Sequence, residues 1–89
     1  MSKKDKLLKK LLALPPEMRY EEVEAILTNF GFILVRSKGS HHQFRHPKGR
    51  QLTVPKRGGQ RVTRTYLRQV ASALEWVTGR SIEELAEEE

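Results

Sequence analysis

The chain contains no cysteine. Disulfide bridges and thiolate metal sites are therefore excluded. It has no apolar run approaching the roughly 20 residues that a bilayer span needs. The leucines after Met1-Ser2-Lys3-Lys4 are interrupted by Lys9 and Lys10, and no small-residue cleavage site follows. That start does not read as a secretory signal, so a cytoplasmic chain with no membrane partner is expected. No internal repeat is present. The most telling absence is of acid: between Glu24 and Glu75 there is no Asp or Glu. The only formal charges in that stretch belong to Arg36, Lys38, Arg45, Lys48, Arg50, Lys56, Arg57, Arg61, Arg64 and Arg68.

What remains is one small domain of 89 residues, 37% hydrophobic and 31% charged, with a formal charge of +6. That balance favours an anionic partner. The charge is also ordered along the chain. Lysines lead, the acid-free run fills the middle, and Glu83, Glu84, Glu87, Glu88 and Glu89 close it. Natural surfaces mix signs, so fifty residues without an acid point to nucleic-acid contact.

Local patterns divide the chain. Leu7, Leu11 and Leu14 share one face of a short amphipathic helix, which Pro15-Pro16 ends. Residues 1–16 therefore read as an N-terminal helical extension. A second helix is expected from about Met18 to Asn29, with Val23, Ile26, Leu27 and Phe30 as its buried stripe. Gly31 fits the left-handed residue that closes it. The period then changes. Phe32–Val35, Ser40–His46 and Gln51–Val54 read as three strands joined by turns at Lys38-Gly39 and Pro47-Lys48-Gly49. Lys56–Val62 reads as a basic loop around Gly58-Gly59. Thr63 can cap a third helix carrying Leu67, Val70, Leu74 and Val77, which Gly79 ends. Residues 17–79 thus make the main domain, and 80–89 an acidic tail with a short helix. The order α-β-β-β-α, with helices on one face of an antiparallel sheet, is an α+β fold.

The chemistry concentrates in Gly39-Ser40-His41-His42-Gln43-Phe44. Side chains alternate along a strand. If Phe44 faces the helices, so does His42, while His41, Gln43 and Arg45 project from the open face with Thr53. The first strand is apolar on both sides, which leaves its facing open. His41 is then an exposed imidazole among cations, able to accept a proton near neutral pH. His42 and His46 read as structural or phosphate-contact residues. On a strand their spacing spans roughly 13 Å, and no carboxylate or thiolate accompanies them, so no metal or other cofactor is expected. Lys56, Arg57 and Arg61 form the best phosphate loop. Arg64 and Arg68 lie one turn apart at the start of the last helix, where backbone amides add to an anion site.

Gly31-Phe32, Val35-Arg36, the run from Lys38 to His46, Gly49 and Thr53-Val54-Pro55 together resemble the HicA toxins of bacterial toxin–antitoxin systems. The resemblance covers roughly Tyr20 to Val77. It implies a fold like that of double-stranded-RNA-binding domains and metal-independent cleavage of mRNA. It implies one essential histidine on the sheet, which maps to His41, and a HicB-type antitoxin that covers it. Residues 1–16 and the acidic tail lie outside the resemblance. The expectation is an endoribonuclease of monomeric chains. His41 is its catalytic residue, and Lys38, Gln43, Arg45, Lys56, Arg57, Arg61, Arg64 and Arg68 contact RNA. The alternative is a non-catalytic RNA-binding module on the same fold.

Overall fold

In the computed structural model, residues 3–56 and 60–87 are described. The elements in order are α1 (Lys3–Leu12), β1 (Glu17–Arg19), α2 (Tyr20–Asn29), β2 (Ile33–Lys38), β3 (His41–Arg45), β4 (Gln51–Pro55), β5 (Arg61–Thr63), α3 (Arg64–Thr78) and α4 (Ile82–Glu87). Strands β2, β3 and β4 form an antiparallel sheet in that order, with β3 central. The fold is α+β, and its α2-β2-β3-β4-α3 centre has the arrangement of a double-stranded-RNA-binding domain.

Two three-residue strands form a second element that periodicity does not reveal. β1 pairs antiparallel with β5, setting Met18 opposite Val62. Both side chains are buried. The helix expected from Met18 therefore starts at Tyr20, and the expected basic loop contains a strand over its last residues. Segments this short lie below the length at which alternation is readable. The ribbon replaces the side-chain cap expected of Thr63. The Thr63 side chain makes no capping bond. The Arg64 N–H donates instead to the Pro16 carbonyl at 3.0 Å.

One hydrophobic core joins the layers. Phe44, Leu52 and Val54 from the sheet meet Val23, Ile26 and Leu27 of α2 and Leu67, Val70 and Leu74 of α3. Leu8 and Leu11 of α1 and Ile82, Leu85 and Ala86 of α4 are buried in the same core. Helix α1 packs against α2, α3 and α4. It is also tied by Lys10, whose ammonium reaches both carboxylate oxygens of Glu22 at 2.8 and 3.1 Å. Glu22 in turn accepts the Arg19 N–H at 3.0 Å, covering one open donor at the start of α2. No helix among the described residues is long and apolar enough to cross a membrane.

The β3–β4 hairpin is fastened to the end of α2. The Lys48 N–H donates to His46 Nδ1 at 3.1 Å. The ring proton therefore sits on Nε2, which donates to the Phe30 carbonyl at 2.9 Å. Gly31 lies beneath that ring with φ +94°, and a Cβ there would stand 3.0 Å from Nε2. Glycine is thus required twice, for its dihedral and for the space.

Candidate functional site

The central strand alternates as its sequence predicts. His41, Gln43 and Arg45 are exposed, while His42 and Phe44 are buried. The two adjacent histidines thus face opposite sides of the sheet. His42 lies against Tyr20, ring centroids 4.5 Å apart, and its Nδ1 is buried with no hydrogen-bond partner. Lys56 is placed over the other partner of that stack, its ammonium 4.9 Å from the Tyr20 ring centroid. Burial, with the Glu24 charge and hydrogen bond, pushes the Tyr20 phenol well above its ordinary range. His42 is a packing residue on the side of the sheet opposite His41.

Cross-strand register decides what stands beside His41. Paired residues share a face. His41 is opposite Lys38 in β2 and Pro55 in β4. Gln43 is opposite Arg36 and Thr53, and Arg45 is opposite Ile33 and Gln51. The open face therefore carries three rows: Lys38–His41–Pro55, Arg36–Gln43–Thr53 and Ile33–Arg45–Gln51.

A β-bulge makes this possible. The register between β2 and β3 shifts between Leu34 and Arg36, leaving Val35 without a partner. Strict alternation from Ile33 would send Arg36 and Lys38 to the helical side. The extra residue resets the phase, so that Leu34 stays over Phe44 while Arg36 and Lys38 join His41. A bulge of this kind leaves no mark in the hydrophobic pattern of Ile33-Leu34-Val35, which is why the facing of this strand was open on sequence grounds. All six residues of β2 are exposed, with Ile33 at 59% and Val35 at 55%.

Lys38 and His41 are also joined by a two-residue turn. Gly39 has φ +58°, whereas Ser40 is not among the residues with positive φ. That is the pattern of the II′ hairpin turn, with glycine first. The turn and the two strands enclose a cavity of about 560 Å³ lined by Arg36, Lys38, Gly39, Ser40, His41 and Gln43. The ion pairs among the described residues use Lys10, Arg19 and Arg61. Arg36 and Lys38, which line the cavity, take part in none of them, and neither does Arg45, two rows away on the same face.

The other basic residues lie elsewhere. Arg61 sits on β5, its guanidinium 3.2 Å from the Glu17 carboxylate. Arg64 donates through Nε to the Leu14 carbonyl at 2.8 Å, holding the link between α1 and β1. Arg68 is exposed on α3. None of these lines the His41 cavity. Arg57, with Gly58 and Gly59, lies outside the described residues. Arg36, by contrast, lines the cavity without having been singled out as a contact. Its signal was present in the acid-free run, but its facing depends on the bulge. Among the described residues no group of three His, Cys, Asp or Glu side chains is placed to hold a metal ion.

A comparison with protein families matches residues 20–76 to the HicA toxin of bacterial toxin–antitoxin systems. Neither the curated proteins nor the solved structures give a match.

Proposed function

The chain belongs to the HicA toxin family, and from that premise we propose that it is a metal-independent endoribonuclease acting on mRNA in the cytoplasm, with His41 as general base. The observation that carries this reading is the position of His41. It is an exposed imidazole in an open cavity, flanked by Lys38 and Arg36 on a sheet face with no carboxylate. Such a face draws the phosphate backbone in and leaves the ring free to work.

The reaction balances without any other reagent. His41 takes the proton of a ribose 2′-hydroxyl, and that oxygen attacks the adjacent phosphorus. The bond from phosphorus to the 5′-oxygen breaks, giving a 2′,3′-cyclic phosphate and a 5′-hydroxyl end. The leaving oxygen takes its proton from Lys38 or from water. Lys38 and Arg36 oppose the charge that develops on the phosphoryl oxygens, and Arg45, two rows along the same face, meets a neighbouring phosphate. Gln43 supplies a neighbouring contact, while Lys56, whose ammonium lies over Tyr20, and Arg61, Arg64 and Arg68 serve longer RNA or the fold itself. A HicB-type antitoxin is the proposed protein partner, and covering His41 would silence the site.

Purified protein incubated with RNA in EDTA should yield fragments ending in cyclic phosphate. His41→Ala should abolish them while still binding RNA with steep salt dependence. Cleavage at the parent rate by His41→Ala would reject the assignment in favour of a non-catalytic RNA-binding module or another base.

A further inference from the structure

A second cavity, about 250 Å³, lies on the same open face and is lined by Val35, Arg36, Gln43, Arg45 and Thr53 among others. Arg36 and Gln43 also line the His41 cavity. The two hollows therefore adjoin, with the Arg36–Gln43–Thr53 row between and beneath them. Residues two apart on a strand are about 6.6–6.8 Å apart, the scale of one nucleotide step in an extended single strand.

The chemistry of the second hollow differs from that of the first. The first offers cations and an imidazole. The second has no imidazole, and it sets the Thr53 hydroxyl and the apolar Val35 beside the Gln43 carboxamide that both hollows share. Gln43 presents a donor and an acceptor side by side, the pairing that engages a base edge twice. Thr53, directly opposite it, has a hydroxyl that serves either role. Val35, left unpaired by the bulge and half exposed, borders the hollow with a methyl-rich surface on which a base can rest. Arg36 and Arg45 flank the hollow from both rows and suit the phosphates before and after that base.

We propose that this hollow is a nucleobase subsite for the nucleotide next to the scissile one, and that Gln43 sets which base is preferred there. The inference rests on RNA lying across this face as described above. It restricts the substrate to unpaired RNA, because in an A-form duplex pairing and stacking already occupy the Watson–Crick edge and the faces of the base.

The test uses the full chain carrying His41→Ala, so that RNA survives the measurement. Fluorescence anisotropy is read with ten-nucleotide homopolymers of A, C, G and U and with a ten-base-pair duplex. The expected result is a spread of about tenfold among homopolymers, with the duplex below the best of them. Adding Gln43→Ala should shrink that spread to about twofold while phosphate contacts keep binding salt-dependent. Gln43→Glu, which lacks the donor, should change the order of preference. Cleavage sites mapped with His41 intact should diversify in Gln43→Ala. Gln43 is exposed, so thermal melts of each variant should match the parent. An unchanged homopolymer spread in Gln43→Ala overturns the subsite but leaves RNA binding standing. Failure of the His41→Ala chain to bind any RNA at low salt overturns the RNA reading and the subsite with it. If Val35→Asp leaves the homopolymer spread intact, the apolar wall does not carry the base and the subsite is refuted.

Discussion

Replacing Gly31 with alanine tests how the β3–β4 hairpin is held. Two costs add at this position. A residue with a Cβ pays about 1–2 kcal/mol for a left-handed backbone, and φ +94° lies beyond the centre of that well. The new Cβ would also stand 3.0 Å from His46 Nε2, so the ring must move. Moving it endangers the bond to the Phe30 carbonyl, worth about 0.5–1.5 kcal/mol. It also disturbs the edge contact with Phe32, whose ring centroid is 5.0 Å away. The expected loss is about 2–3 kcal/mol, or roughly 8–24 °C in Tm for a domain of this size. Urea titration followed by circular dichroism measures it. A double-mutant cycle with His46→Ala separates the parts, since the steric cost vanishes once the ring is gone while the dihedral cost remains. A coupling of about 1 kcal/mol is expected between the two positions. A Gly31→Ala loss below about 0.5 kcal/mol, or a cycle showing no coupling, would refute the argument that Gly31 and His46 lock the hairpin to α2.

The two neighbouring histidines should give opposite signatures. His41→Ala should leave stability within about 0.5 kcal/mol but cut RNA cleavage by about 10²–10⁴-fold. His42→Ala should lower stability by about 1–3 kcal/mol, because it removes the stack on Tyr20 and opens a void, offset in part by deleting an unpartnered buried nitrogen. Leu11→Ala should cost about 2–5 kcal/mol in urea unfolding, since α1 is then part of the cooperative core; a negligible cost would mean that α1 folds apart from it. Glu22 gives a pH signature. Burial opposes its ionisation, but the hydrogen bonds from Lys10 and the Arg19 N–H and the charges of both residues hold its carboxyl below the ordinary range. A depressed folded-state pKa stabilises above the unfolded-state value and loses that effect as pH falls through the folded-state value. Glu22→Gln should therefore cost about 0.5–1 kcal/mol at pH 7. Its melting curve should converge on the parent below the ordinary Glu pKa of about 4.3. A difference that persists in acid would refute the ionic origin.

Much of the site was legible in the residues, and the rest was hidden for definite reasons. Alternation through His41–Arg45 depends on one large apolar side chain, Phe44, and it placed both histidines on the faces observed. The acid-free run announced the cationic surface. Alternation could not place Arg36 and Lys38, because a bulge shifts phase without altering composition. Nor could it reveal the β1–β5 ribbon, where Met18 and Val62 are one buried pair in two strands of three residues. Charge alone could not tell a cation presented on the open face from one engaged by its own fold. Arg61 and Arg64 look like Arg36 in the sequence, yet one meets Glu17 and the other the carbonyl of Leu14.

The side-by-side packing of α1 and α4 has a practical consequence. Both terminal helices lie in the layer behind the sheet, remote from the hollows around His41 and Gln43. A fluorophore, an affinity handle or a surface tether attached near either end would leave the front of the molecule open. Immobilised chains would then all present the same side to solution, which suits surface-based measurements of nucleotide and antitoxin binding.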